Sequence, residues 1–180
     1  MELAKARKTV YEFEKTPVTR RQAAAILEAA CWTPSCSNSQ PWRFVIVTDA
    51  KKIAALLQGV RLVNFPFVSS NPPLIIAFVA DGGCLSAKHL CLSDGIIHDA
   101  FLCVSMSVMQ AALQAKQIGL DSCILTPSRA NVSKVLSIPK QDVPVLLLGV
   151  GKEKKGAFAR NRTRRKRSEL TYFEKFGRKG

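Results

Sequence analysis

The sequence predicts an α+β domain, and three features of the 180-residue chain carry that prediction. Four short apolar runs, rich in β-branched and aromatic residues, have the length of strands; they lie at 43–48, 74–80, 122–126 and 143–150. Stretches with helical periodicity separate them. The longest stretch, 93–118, is apolar around most of its circumference, so a helix there must be buried on more than one side.

Each helix has its own local signal. Residues 1–15 predict an initial helix that frays into a loop. Thr19 and Gln22 have the spacing of a capping box, which predicts a helix that ends before Pro34. Asp49 predicts the cap of a short helix that stops at Gly59, and Pro127-Ser128 predicts another that runs to about 137. The long helix is predicted to begin at Ser93 or Asp94 and to end at Gly119.

Composition indicates one globular domain, 1–180, with a basic and aromatic tail over 152–180. Apolar residues make up 47% of the chain, which excludes a disordered class. No apolar run reaches the roughly 18 residues of a membrane helix, and the N-terminus lacks the apolar core of a signal peptide, so we expect a cytoplasmic protein without a membrane partner.

Six cysteines are present, none spaced as C-x-x-C, and we expect no metal site. Cys31, Cys103 and Cys123 lie in apolar segments, which predicts a packing role. Cys36 is the one cysteine for which a functional contact is expected, because it lies in a polar loop.

The net charge of +14 is concentrated near the C-terminus, where six cationic residues fall within 160–167. A run of this kind is typical of a solvated tail or a nucleic-acid patch. It can also bind a phosphate, because guanidinium groups pair with phosphate oxygens in a bidentate manner.

Two motifs are candidates for a ligand site. Arg7-Lys8-Thr9 places two cations and a hydroxyl in consecutive positions, which suits a phosphomonoester. The second motif is Pro34-Ser35-x-x-Asn38-Ser39-Gln40-Pro41-Trp42-Arg43-Phe44, where hydroxyls, amides and backbone N–H groups precede a strand that would hold the loop rigid. On composition alone, the same stretch is also typical of an ordinary helix-to-strand connection.

In this order, the two motifs resemble those of the FMN-dependent nitroreductase family. The segment from Arg7 to Phe13 is similar to that family's Arg-Arg-Ser-x-Arg-x-Phe phosphate motif, and the segment from Pro34 to Phe44 is similar to its signature loop. The resemblance implies a mixed sheet flanked by helices in an intertwined homodimer, with two FMN sites at the interface. A partner subunit could then cover the second side of the apolar stretch 93–118.

The resemblance also implies which residues bind FMN. Its phosphate and ribityl chain would be held by Arg7, Lys8 and Thr9, and a C-terminal pair drawn from Arg162, Arg164 and Arg165 would complete the phosphate clamp. The isoalloxazine ring would be faced, from the other subunit, by Pro34, Ser35, Cys36 and Asn38. The segment that contains Thr126 and Pro127 would lie by the flavin.

The charge balance of this site carries two further expectations. The clustered cations are expected to lack an acidic neighbour. Tyr11 stands where the family often has a second basic residue, so the group that stabilises the flavin N1/O2 edge is unassigned.

The predicted function is an FMN-dependent oxidoreductase that passes electrons from NAD(P)H to a small electron-poor acceptor, such as a nitroaromatic or a quinone, by a ping-pong mechanism. No essential side-chain acid or base is expected, and no catalytic residue is assigned. Three alternatives stay open: another redox reaction on the same fold, a flavin-binding protein without turnover, and a basic nucleic-acid-binding protein. The last lacks a recognisable nucleic-acid-binding module.

Overall fold

The computed structural model of the chain describes residues 2–58, 60, 70–85, 98–158 and 161–178. Helices and strands alternate along most of it. The helices are α1 (Glu2–Ala6), α2 (Arg20–Cys31), α3 (Ala50–Gln58), α4 (Gly82–Leu85), α5 (Asp99–Gln117), α6 (Arg129–Leu136) and α7 (Arg167–Leu170), with a 3₁₀ turn at Cys36–Asn38. The strands are β1 (Trp42–Val47), β2 (Leu74–Ala80), β3 (Asp121–Leu125) and β4 (Val143–Gly151).

The four strands form one sheet in the order β1-β2-β4-β3, and each neighbouring pair is antiparallel. The α+β class predicted from the sequence is confirmed. Among the described residues, the parallel component of the predicted mixed sheet is an isolated bridge between Thr9 and Ser122. That bridge brings the N-terminal segment alongside β3.

Helices cover both faces of the sheet, so β2, at its centre, is buried at all seven positions. The side chains of β2 point alternately into two cores. Ile76 and Phe78 pack with α2 and α5 in one core. Ile75 and Ala77 pack with α3 and α6 in the other, together with Val10 and Phe13 of the N-terminal segment. The N-terminal segment is therefore part of the fold's core on one face.

Helix α2 begins as the sequence predicts. The Thr19 hydroxyl accepts from the Gln22 N–H at 3.2 Å, and the Gln22 side chain accepts from the Thr19 N–H at 2.9 Å. Helix α5 begins later than predicted, at Asp99, because His98 caps it with Nδ1 accepting from the Ala100 N–H at 3.1 Å. The predicted caps Ser93 and Asp94 lie outside the described residues.

The initial helix ends at Ala6, and the chain then leaves the helix and runs extended beside the sheet, as predicted for residues 1–15. Two further expectations are corrected. Strand β1 is a half-buried edge strand rather than a buried one, since Arg43 and Ile46 are exposed. Cys103 and Cys123 are buried as predicted, but Cys31 is exposed at the end of α2.

Helix α5 packs one face on α2 and the sheet, through small residues such as Ala111 and Ala112. A stripe on its opposite face keeps large apolar side chains in solvent: Leu102 is 45% exposed, Met106 45% and Met109 38%. Apolar side chains three to four positions apart on an exposed helix face are typical of an interaction surface. Within the described part of the chain, none of the helices has the length and apolar character needed to cross a membrane.

Candidate functional site

A cationic cavity of about 280 Å³ lies between the N-terminal segment and the basic C-terminal segment. We call it the cradle. Cations, hydroxyls and an amide dominate its lining, which consists of Arg7, Lys8, Thr9, Tyr11, Glu153, Asn161, Arg162, Thr163 and Arg164. Such a set of donors suits an anion with several oxygen atoms.

The N-terminal side of the cradle is held by backbone pairing and by two buried side chains. The Val10 N–H donates to the Ser122 carbonyl of β3 at 3.1 Å, and Phe13 pairs with Glu153 just beyond β4. Val10 and Phe13 are each 1% exposed, so they anchor the segment in the core. Arg7, immediately after α1, is thereby fixed at the cavity.

The C-terminal side of the cradle is an exposed segment tied to α1. The Arg162 Nη1 donates to the Lys5 carbonyl at 2.9 Å, which brings residues 157 positions apart in the chain together. Arg164 Nη1 donates to the Thr163 carbonyl at 2.8 Å. Two of the three predicted arginines therefore line the same cavity as Arg7.

Arg165, the third candidate for the clamp, points elsewhere. Its Nε donates to Oε2 of Glu169 in α7 at 3.1 Å, and it does not line the cradle. Arg160, which belongs to the same basic run, lies outside the described residues. Of the three arginines that the sequence offered for the phosphate clamp, Arg162 and Arg164 are thus the two that lie at the cradle.

Arg7 has a buried hydrogen-bond donor that could bind an anion. Its Nη1 is buried and makes no hydrogen bond. Burial lowers the pKa of the Arg7 guanidinium, and repulsion from Arg162 and Arg164 lowers it further. An anion in the cradle would both accept from Nη1 and relieve this repulsion.

Beside Arg7, burial raises the pKa of the Cys123 thiol to about 12, and the guanidinium opposes that shift. Cys123 is therefore a neutral thiol and supplies no negative charge to Arg7.

Lys8 has an acidic partner, contrary to the sequence-based expectation. Its Nζ lies 2.7 Å from Glu153 Oε1 and 2.6 Å from Glu153 Oε2. The two residues are 145 positions apart, and the pairing of Phe13 with Glu153 brings them together. Glu153 was missed because no local pattern in the sequence connects it with the N-terminus. Asn161 and Thr163 were also missed, although they flank Arg162.

The polar loop before β1 has an unusual backbone. Ser37, Asn38 and Gln40 have φ values of 50°, 52° and 45°, in a region that residues other than glycine rarely occupy. The Ser35 Oγ accepts from the Gln40 N–H at 2.9 Å, and the Asn38 Oδ1 accepts from Gln40 Nε2 at 3.2 Å. Backbone of this kind persists where its surroundings fix it and is concentrated at binding sites.

This loop and the cradle lie far apart within one chain. The Cys36 N–H contacts Cys103 Sγ at 3.4 Å, near the start of α5. Lys116, near the end of α5, pairs with Asp121, whose carboxylate accepts from the Glu153 N–H at the cradle. At about 1.5 Å per residue, the intervening helix separates the two sites by roughly 20 Å.

The remaining predicted residues also lie away from the cradle. Pro34, Ser35, Cys36 and Asn38 belong to the distant loop. Exposed Thr126 and buried Pro127 follow β3, at the end of that strand opposite the cradle. Over the described residues, no group of three His, Cys, Asp or Glu side chains is placed to hold a metal ion.

Comparison with known proteins shows what this chain is similar to. The Nitroreductase family model matches residues 4–65, a range that holds both motifs. YodC, a candidate NAD(P)H nitroreductase of Bacillus subtilis, is 26% identical over 90% of this chain and 93% of its own length. Iodotyrosine deiodinase of Haliscomenobacter hydrossis is 27% identical over 84% of this chain and 78% of its own.

A solved structure extends the likeness to the fold. An FMN-dependent nitroreductase of Clostridium difficile R20291 superposes with a TM-score of 0.75 at 20% identity, over 97% of this chain and 98% of that one. The chain therefore has the nitroreductase fold, and its residues 4–65 are similar to the Nitroreductase family.

Proposed function

We propose that this protein is an FMN-dependent oxidoreductase that passes electrons from NAD(P)H to a nitroaromatic or quinone-like acceptor. The observation that carries the proposal is the buried Nη1 of Arg7, which has no hydrogen-bond partner in a cavity lined by further cations. The similarity to YodC, a candidate NAD(P)H nitroreductase, supports the donor, and the similarity to the FMN-dependent nitroreductase of Clostridium difficile supports the cofactor.

The described residues fit the phosphate end of FMN. A phosphomonoester carries close to two negative charges at neutral pH, and Arg7, Arg162 and Arg164 supply three positive charges at one cavity. Thr9 and Lys8 adjoin them and would meet the ribityl chain. A bound flavin supplies the redox chemistry of such an enzyme, while the protein binds, orients and shields it.

A homodimer is part of the proposal, because one chain does not complete the site. The polar loop lies roughly 20 Å from the cradle along α5, so in a complete flavin site the loop residues Pro34, Ser35, Cys36 and Asn38 would come from a second copy. The apolar stripe of Leu102, Met106 and Met109 gives that copy a surface to bury. Exposed Phe173 and Phe176 of the tail add further apolar area.

Within the cradle, protein groups supply charge and hydrogen bonds rather than a proton relay. The cationic side chains that line it are permanent donors, and Lys8 is already paired with Glu153. We therefore assign no side-chain acid or base. If the donor and the acceptor use one pocket in turn, double-reciprocal plots at several acceptor concentrations should be parallel.

A second candidate is reductive deiodination of an aromatic substrate. It is favoured by the likeness to iodotyrosine deiodinase over 84% of this chain. The cradle would serve the same cofactor, so the two candidates differ in the acceptor alone.

The test begins with the purified protein. We expect it to be yellow or to bind FMN at micromolar concentration; a colourless protein that binds no FMN would overturn the proposal. The FMN-loaded protein is then mixed anaerobically with NADH and, separately, with NADPH. Loss of the oxidised-flavin absorbance with either donor supports the NAD(P)H reaction, and no loss with both rejects it. Turnover of a nitroaromatic, a quinone and an iodotyrosine under matched conditions identifies the acceptor class.

A further inference from the structure

The cradle contains one acidic side chain among the described residues that line it, and the backbone fixes that side chain in place. Glu153 pairs with Phe13, and this pairing is flanked by hydrogen bonds from the Glu14 N–H to the Lys152 carbonyl at 2.8 Å and from the Lys154 N–H to the Glu12 carbonyl at 3.0 Å. The Glu153 N–H also donates to Asp121 Oδ2 at 3.4 Å. The carboxylate is therefore held at the cavity wall rather than free to leave it.

Glu153 forms an ion pair with the ammonium group of Lys8. Both carboxylate oxygens lie within 2.7 Å of Nζ, and the two side chains are only 32% and 26% exposed. An ammonium group has three donors, and this contact uses up to two of them. Lys8 is thus the cation of the cradle whose charge is cancelled before any ligand arrives.

A carboxylate in the cavity wall disfavours the binding of a phosphate next to it. Both are negatively charged, and an ionised carboxylate accepts hydrogen bonds but donates none. The wall formed by Lys8 and Glu153 suits a group that can donate as well as accept, and a hydroxyl is such a group. Arg7, Arg162 and Arg164 carry no such acidic partner in the cavity lining.

We propose that Glu153 is a selectivity residue of the cradle: it withdraws Lys8 from phosphate binding, so that the arginines hold the phosphate and the Lys8–Glu153 pair binds the neighbouring hydroxyl chain. This inference rests on the proposed FMN site and refines it. The cradle would then select a phosphate attached to a polyol over a bare phosphate.

Glu153→Gln tests the proposal because it keeps the shape of the side chain and removes its charge. Inorganic phosphate should bind about fivefold more tightly, the upper range for one exposed charge interaction. Riboflavin, which has the hydroxyl chain without the phosphate, should bind about fivefold more weakly, as expected for one weakened hydrogen bond. FMN carries both groups, so its affinity should change little. Calorimetry measures phosphate binding, and flavin fluorescence measures riboflavin and FMN binding.

Glu14→Gln is the matched control. Glu14 belongs to the same backbone pairing but does not line the cradle, so the substitution makes the same change in net charge nearby. All three ligands should keep their affinities to within about twofold, because a surface charge away from the site contributes little. Thermal melts of each variant show that it remains folded.

The double variant Lys8→Met with Glu153→Gln preserves the net charge of the cradle and separates the roles of the two cation types. Its affinity for inorganic phosphate should stay within about threefold of the wild type, since a cancelled pair has been removed. If Lys8 is a phosphate ligand, the loss is about tenfold or more, the scale of a charge-assisted hydrogen bond, and the proposal is wrong.

Two other results also overturn it. If Glu153→Gln tightens phosphate and FMN equally and leaves riboflavin unchanged, Glu153 acts only as a nearby charge. If it changes no affinity, it has no role in selection. A wild-type protein that binds phosphate but no flavin refutes the FMN function separately, and the phosphate titrations of the double variant still decide whether Lys8 is a ligand.

Discussion

Replacing Arg7 by Ala is the sharpest perturbation of the cradle. The guanidinium Nη1 is buried and lacks a partner, so the free protein loses no hydrogen bond from it when the side chain is cut back. The bound state, in contrast, should lose a charge-assisted hydrogen bond to the phosphate. The main effect of the substitution is therefore expected in ligand affinity.

The magnitude follows from the number of donors removed. A hydrogen bond to a charged group contributes about 1.5–3 kcal/mol, and Arg162 and Arg164 remain in the cavity to hold the phosphate. At about 1.4 kcal/mol per factor of ten, Arg7→Ala should raise the dissociation constant of FMN by roughly tenfold to 150-fold. Riboflavin has no phosphate, and its affinity should be almost unchanged.

Quenching of flavin fluorescence on titration with protein measures both ligands. Arg165→Ala is the control, because it removes an arginine from the same basic region that is paired with Glu169 and lies outside the cradle. That variant should bind FMN to within about twofold of the wild type. Equal losses for FMN and riboflavin in Arg7→Ala would refute the assignment of Arg7 to the phosphate.

Three further substitutions or measurements test the rest of the structure. Met106→Glu puts a charge into the apolar stripe of α5, where Met106 is 45% exposed. Light scattering should then show a monomer in place of the proposed dimer, and flavin fluorescence should show weakened FMN binding. A wild-type monomer that holds FMN stably would contradict the dimer. Iodoacetamide at pH 9 should alkylate exposed Cys31 long before Cys123, since a pKa of about 12 leaves roughly one Cys123 in a thousand as thiolate at that pH, and the rate at Cys123 should keep rising with pH. Similar rates at the two sites, followed by mass spectrometry, would show that Cys123 is not protected. Thr19→Ala should lower the free energy of unfolding by about 1 kcal/mol through loss of the α2 cap, measured by urea denaturation. Thr16→Ala, outside the helices, is its control, and equal effects would mean that the cap is not the cause.

The sequence by itself determined the features that depend on near neighbours. The capping box of Thr19 and Gln22 joins residues three apart, and the start of α2 was predicted correctly from it. The run Leu74–Ala80 is apolar at every position, so its burial at the centre of a sheet follows from composition. The motif at Arg7 and a pair drawn from Arg162, Arg164 and Arg165 were predicted to share one site. Arg7 lines one cavity with Arg162 and Arg164, whereas Arg165 does not line it.

Local rules were less reliable where a side chain could act in more than one way. Ser93 and Asp94 are typical helix caps, whereas His98 caps α5 through a ring nitrogen that sequence patterns rank low. Cys31 stands in an apolar stretch but faces solvent, because helical periodicity places it on the outer side of α2.

Only the tertiary structure decided the contacts between distant segments. Lys8 meets Glu153 because the N-terminal segment pairs with the end of β4, and nothing in either local sequence indicates that pairing. The strand order β1-β2-β4-β3 places the loop before β1 and the cradle beside β3 at opposite edges of the sheet. The physical reason is that strand pairing and helix packing join residues by burial across the whole chain, whereas capping and periodicity act over a few residues.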